Sequence, residues 1–301
     1  MIPSHLHPKT WPTWTGLGIF RLLILLPYPL MMRAGGLIGH LTWLLLSEKR
    51  RLVLKKNLEL CFPELDITER EALARQHIES AGKGFLEVAL AWWGKSEDLS
   101  KLVNYTGLEH LEKARAAGKG VILLSAHFSS LEIGGRLLAM KVPFEALYRP
   151  SDNPAVEYLM QKNRTRHTEG AISKNDIKRM IRSLRNGKTI WYAPDQSPSR
   201  NNAVFAPFFG IETLSSTATA RLTKMTGAAV VPFLPLRRND GTGYDLQLFA
   251  ALDDFPGDDE TIDATRINQL FESWVRKRPE EYFWFHRRFK RQSDGKSDYY
   301  S

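Results

Sequence analysis

The chain has 301 residues, enough for one large α/β domain or two small ones with a substantial core. Its 42 Lys and Arg outnumber 33 Asp and Glu, and the net charge of +9 favours anionic partners: nucleic acid, anionic lipid, phosphorylated substrates or an acidic carrier protein. The lone cysteine, Cys61, excludes an intrachain disulfide and a cysteine-based zinc site.

The elements follow in chain order. Residues 16–32 carry a single charge, Arg21, and a second apolar run, 37–46, ends at the basic "EKRRLVLKK" of 48–56. Trp11, Trp14 and Trp43 flank these runs as interface anchors do, and the basic cluster suits an anionic leaflet. Pro27 and Pro29 kink the segment, and no small-residue cleavage site follows it, which argues against a cleaved signal peptide. We expect 1–46 to be a membrane anchor. Hydropathy favours a span over an in-plane helix, and a helical hairpin packed on the globular part is the alternative.

Residues 66–94 read as a helix opened by the capping-box pattern Thr68-x-x-Glu71. Strands and helices then alternate. Strands are expected at 121–126, 142–150, 189–195, 228–238 and 244–252. Helices are expected at 107–120, 129–140, 153–168, 175–188, 215–227 and 261–289, and Gly134 and Gly135 weaken the second of them. This order predicts an α/β fold, a mixed sheet flanked by helices on both faces, spanning 47–290. A polar, mobile tail, 291–301, closes the chain.

His127 stands where the apolar strand "VILLSA" ends, and Glu132 follows at the start of a helix. Ligands of α/β sheets bind outside the carboxyl ends of strands, and a carboxylate beside an imidazole orients it and stabilises its charged form. That arrangement suits a general base acting on an alcohol. Ser129-Ser130-Leu131-Glu132 is also a capping-box pattern, which explains Glu132 without catalysis. The residues alone leave both readings open.

Seven short motifs occur in order: "NLELCFPEL" (57–65), "GLEHL" (107–111), "HFSSLE" (127–132), "YRP" (148–150), "WYAPDQS" (191–197), "VVPFLP" (230–235) and "EYFWFHRRFK" (281–290). Together they resemble the late acyltransferases of lipid A biosynthesis, the lauroyl/myristoyl transferases of the lysophospholipid acyltransferase superfamily. The resemblance covers about residues 14 to 290. It implies a glycerolipid-acyltransferase-like fold at the bacterial inner membrane, with the catalytic domain on the cytoplasmic side. It implies an acyl carrier protein as donor, a Kdo-bearing lipid A precursor as acceptor, and an acyloxyacyl ester as product. His127 and Glu132 match the family's His-x4-acid marker, with His127 as general base and Glu132 orienting it.

Arg149 and Arg164 are candidates for holding an anion, since a guanidinium donates two parallel hydrogen bonds to phosphate. A solvated basic helix face is the other reading of Arg164. Asp195 and Gln196 fall where the superfamily has its third block and are expected to position substrate; a strand-end turn capped by Asp195 is the alternative. His286 is read as a core or interface residue. No metal and no cofactor are implied; carbonyl activation falls to backbone N–H groups or a positioned cation.

A glycerophospholipid acyltransferase is the nearest rival, disfavoured by the contexts of "NLELCFPEL" and "WYAPDQ". A serine esterase is excluded by the lack of any Gly-x-Ser-x-Gly. Nucleic-acid binding has charge in its favour but no recognised motif. Ser129 is expected to cap the helix and Ser125 to face away within the strand. Acyl transfer is therefore expected to be direct, with no acyl-enzyme.

Overall fold

The computed structural model describes residues 3–199, 202–293, 295 and 298–300. Helices α1 (Trp11–Leu23), α2 (Tyr28–Leu45), α3 (Glu48–Cys61), α4 (Ile67–Trp93) and the single turn α5 (Ser96–Leu99) come first. The sheet section runs β1 (Val103–Thr106), α6 (Leu108–Ala116), β2 (Val121–Leu124), α7 (Leu131–Leu138), β3 (Glu145–Tyr148), α8 (Pro154–His167), β4 (Gly170–Ser173), α9 (Ile177–Arg185) and β5 (Thr189–Tyr192). A hairpin of β6 (Ala203–Phe208) and β7 (Ile211–Ser216) follows. The last elements are α10 (Ala218–Thr226), β8 (Ala229–Arg237), β9 (Tyr244–Leu248) and α11 (Glu260–Lys277).

The main sheet has the order β1-β9-β8-β2-β5-β3-β4 and is parallel except where β8 meets β9. The expected mixed sheet with helices on both faces is thus present. β2 is buried at every position, as a central parallel strand must be. Its side chains alternate: Val121 and Leu123 enter the core under α6, α7 and α8, and Ile122 and Leu124 enter the core under α9 and α11.

Three expected features differ. β1, β4 and the β6–β7 hairpin lie in stretches expected to have no strand, because four- to six-residue strands carry little periodicity. The capping box of α4 is Asp66 with Glu69, two residues before the expected pair. The last helix ends at Lys277, not 289: Pro279 disfavours helical backbone at Arg278, which sits at φ −142° and ψ 63°. Beyond it, residues 282–289 form an irregular strap over the strand ends. The expected mobile tail docks where it is described. Tyr300 is buried, and its hydroxyl meets Asn57 and the Phe289 N–H.

The N-terminal helices are fixed to this body. Gly35 and Gly39 of α2 face Gly82 of α4 so closely that a Cβ on Gly39 falls 2.2 Å from the Ile78 carbonyl, and one on Gly82 falls 2.2 Å from the Gly35 carbonyl. Among the described residues no single helix is long and apolar enough to cross a membrane; only the pair α2 and α3, bent by 114°, passes by length and composition. The expected span is therefore not found as a single helix among the described residues. Leu22, Leu37, Leu41, Leu44 and Leu45 remain exposed along α1 and α2.

Candidate active site

The site lies at the carboxyl ends of β2 and β5. After Leu124 the chain leaves β2 through Ser125, Ala126 and His127, and after Tyr192 it leaves β5 towards Asp195. The two strands are parallel neighbours, with Leu124 beside Tyr192, so both loops emerge together. Asp195 grips His127 at two points. Oδ1 is 2.5 Å from the ring Nδ1, and Oδ2 accepts the His127 backbone N–H at 3.1 Å. The ring is thereby oriented with Nδ1–H on the carboxylate, and Nε2 carries the lone pair.

The carboxylate on His127 is Asp195, 68 residues away, rather than the expected Glu132. Glu132 serves Arg164: Oε2 accepts from Nη2 at 2.5 Å and Oε1 from Nε at 3.2 Å, while Trp92 donates its indole N–H to Oε1 at 3.0 Å. The side chains of Glu132 and Arg164 are 17% and 21% exposed, so the pair is largely withdrawn from solvent. Of the other candidates, Gln196 follows Asp195 and is half-buried. Arg149 points outward at 69% exposure, paired with Asp152 at 3.4 Å, and is not brought to the site.

Burial and charge compete at each group. Burial lowers the proton affinity of His127, but the Asp195 charge and hydrogen bond outweigh it, and the imidazole is held above its ordinary value. Burial raises Asp195, yet His127, its backbone N–H and the Tyr282 hydroxyl bring its carboxyl below the ordinary value. Burial likewise raises Glu132, and Arg164 and Trp92 overcome it. His286 stands close enough to feel both members of the dyad. Burial first, then the positive charges of Arg288, Lys290 and His127, push it down to about 4.

The local sequence explains why α7 can start here. Gly134 and Gly135, weak helix formers, let α7 ride close on the sheet. A Cβ at Gly134 would fall 2.3 Å from Pro235, and one at Gly135 would fall 2.2 Å from Trp191. The expected Ser129 cap is replaced. The N-cap is Ser130, whose hydroxyl donates to the Pro235 carbonyl, and Ser129 Oγ meets Ser80 Oγ at 2.8 Å. Ser125 is fully buried and Cys61 is buried with its thiol pushed well up, so neither is presented as a nucleophile. The Phe128 and Ser129 N–H groups, which could have faced a substrate oxyanion, already donate to Ala126 and Glu281 carbonyls.

Residues 281–283 hold the His127 loop from above. Phe128 and Tyr282 form an antiparallel bridge, the Phe283 N–H donates to the His127 carbonyl at 2.9 Å, and the Tyr282 hydroxyl lies close enough to Asp195 to favour its charged form. Tyr282 and Trp92 are site residues that sequence reasoning passed over. The aromatic "EYFWFHRRFK" was the available signal for Tyr282; Trp92 lay inside an apolar helix end that read as core.

A model of the bacterial lipid A biosynthesis acyltransferases matches residues 2–291. The chain belongs to the lipid A biosynthesis acyltransferase family. It is 37% identical over 291 residues to the lipid A biosynthesis lauroyltransferase of Escherichia coli K12, covering 96% of this chain and 95% of that one. It is 37% identical over 298 residues to a lipid A biosynthesis acyltransferase of Haemophilus influenzae, covering 98% and 95%. It is 35% identical over 296 residues to the palmitoleoyltransferase of E. coli K12, covering 98% and 96%. In this lipid A acyltransferase an oriented histidine at a strand end is what the geometry of the site offers.

Proposed function

We propose that the enzyme transfers a fatty acyl group from acyl carrier protein to a hydroxyl on a 3-hydroxyacyl chain of a Kdo-bearing lipid A precursor. The observation that carries this reading is the two-point grip of Asp195 on His127, which leaves Nε2 as the base. His127 takes the proton from the acceptor hydroxyl as its oxygen bonds to the thioester carbon. Collapse of the tetrahedral intermediate breaks the C–S bond, and the proton passes from His127 to the departing sulfur. The product is an acyloxyacyl ester, formed without an acyl-enzyme. Asp195 stabilises the imidazolium, and Glu132 with Arg164 ties α7 to α8 beside it.

The protein works in the plane of the inner membrane on its cytoplasmic side. The exposed leucines of α1 and α2 enter the bilayer surface, and Lys49, Arg50 and Lys55 of α3 face anionic headgroups.

The full chain, given acyl carrier protein charged with a dodecanoyl chain and Kdo-bearing precursor, is expected to yield a product one acyl group heavier by mass spectrometry. His127→Ala is expected to yield none. Wild-type turnover by His127→Ala, or label from the donor retained on denatured enzyme and chased to acceptor, overturns the mechanism. Leu41→Glu with Leu45→Glu is expected to reduce cosedimentation with anionic vesicles; unchanged binding overturns the in-plane reading.

A further inference from the structure

A second basic surface lies on α9, and its character differs from that of α3. Lys178, Arg182 and Arg185 fall within an arc of about 60° at 3.6 residues per turn. All three are exposed, as is Lys174 just before the helix. Met180 and Leu184, on another face of α9, are buried, and Ile181 packs with them against the core. Arg179 is set apart by its ion pair with Glu145, and Asp176 is committed to the Arg179 N–H as helix cap. Lys174, Lys178 and Arg182 have no ion-pair partner among the described residues, and Arg185 donates only to the Met225 carbonyl. Four cations thus line one edge of the molecule without an ion pair among the described residues.

Two observations choose the partner. The basic residues of α3 stand beside exposed Leu44, Leu45 and Leu52, a pairing of charge and apolar surface suited to a bilayer. On α9 the only exposed large apolar side chain is Ile177, and beside Arg185 only Met225 is exposed, so the surface offers mostly charge and little to insert. The second observation is position. β2, β5, β3 and β4 are successive parallel neighbours, so the loop from β4 into α9 opens on the same strand ends as His127 and Asp195. At about 4.8 Å per strand, β4 is about 14 Å from β2. A carrier seated along α9 can present a thioester on a flexible arm to His127 without itself entering the site.

We infer that the Lys174, Lys178, Arg182 and Arg185 edge of α9 is the docking surface for the acidic carrier protein that delivers the acyl thioester. This rests on the donor proposed above. The cations raise the encounter rate through long-range attraction, so the effect belongs in kcat/KM and weakens with salt.

The test pairs Lys178→Glu with Arg182→Glu in the full chain and compares two donors, dodecanoyl-acyl carrier protein and uncharged dodecanoyl-pantetheine. The expected result is a fall of at least about tenfold in kcat/KM for the carrier donor at low salt, with a flattened salt dependence. Turnover of the pantetheine donor and binding to anionic vesicles stay as in wild type. Lys178→Arg with Arg182→Lys keeps carrier kinetics near wild type. Unchanged carrier kinetics, or an equal loss on both donors, overturns the docking surface while leaving the donor reading in place. A loss that tracks reduced vesicle binding assigns the edge to the membrane and overturns it too. A wild-type enzyme that uses dodecanoyl-pantetheine but ignores the carrier overturns the donor reading, and the docking surface with it.

Discussion

Asp195 and Glu132 are both withdrawn carboxylates, and both stay ionised against the cost of burial because one residue holds each at two points, His127 through its ring and backbone N–H and Arg164 through its guanidinium. Their partners separate them. Asp195 faces a group that can change its charge during a reaction, and Glu132 faces a guanidinium that cannot. The first pair can move a proton; the second can only hold two helices and a charge in place. The linear pattern His-x4-Glu suggests the opposite assignment. His127 precedes α7, so a residue five positions on lies inside the next helix, directed to α8 and α4 rather than back to the ring.

The largest effect follows from breaking the first pair. Asp195→Asn is expected to lower kcat by about 10²–10⁴-fold with little change in KM, since the imidazole loses both its orientation and its counter-charge. Glu132→Gln is expected to lose far less. Equal losses in the two variants, measured on the same donor and acceptor, erase the distinction between them.

The pH dependence sharpens the same point. His127 acts when neutral, and Asp195 raises its pKa above the ordinary histidine value. The acid limb of kcat/KM is therefore expected above about pH 6.5. In Asp195→Asn the raising charge is gone and burial remains, so the residual activity is expected to have its limb at lower pH. An acid limb that stays put in Asp195→Asn assigns it to another group.

Next in size is the second pair. Removing one partner of a withdrawn ion pair leaves the other uncompensated, at a cost of about 3–5 kcal/mol. Arg164→Met is expected to lower the unfolding midpoint strongly, and Glu132→Leu with Arg164→Met to recover part of it. The native pKa of Glu132 is lowered. Its stabilisation is therefore complete above the ordinary carboxylate range and fades as pH falls through the lowered value. Urea unfolding of wild type and the double variant from pH 6 downward checks this: only wild type is expected to lose this contribution.

The contrast also shows what the sequence could carry. β2, β3, β5, β8 and β9 were legible because hydrophobic runs between helices have few other solutions. His127 and Asp195 were each legible as strand-end polar residues, one within a histidine motif and one within "YAPDQS". Their contact was not, because it depends on β2 and β5 being neighbours while two other strands, β3 and β4, lie between them in the chain. The strap was misread as helix because its aromatic residues keep a helix-like apolar density after Pro279 has ended α11. Nothing in a linear pattern reports that Tyr282 turns back onto Asp195.

Tyr282 gives a smaller, separable effect. Tyr282→Phe keeps the ring packed between Phe128 and Trp284 and removes only the hydroxyl. A full hydrogen bond to a charged group is worth about 1.5–3 kcal/mol, the hydroxyl acts on Asp195 more weakly than that, and Asp195 keeps its two bonds to His127, so the expected loss in kcat is at most about tenfold. Without the hydroxyl, Asp195 also moves up. A change in thermal stability with unaltered kcat and pH profile reduces Tyr282 to packing.

The smallest effect is expected at Arg149, which the sequence placed beside Arg164 as an anion holder. The fold separates them. Arg164 is drawn into the Glu132 pair, whereas Arg149 follows β3 into solvent and meets Asp152, itself 94% exposed. An exposed pair of this kind contributes about 0–1 kcal/mol and is screened by salt. Arg149→Ala is therefore expected to leave stability and kcat within about twofold of wild type. The informative reading is KM for the phosphorylated acceptor, taken at low and at moderate salt. An unchanged KM at both keeps the site centred on β2 and β5. A several-fold rise at low salt, with kcat untouched, puts an acceptor phosphate at the β3 end and extends the site across one more strand than the His127–Asp195 geometry requires.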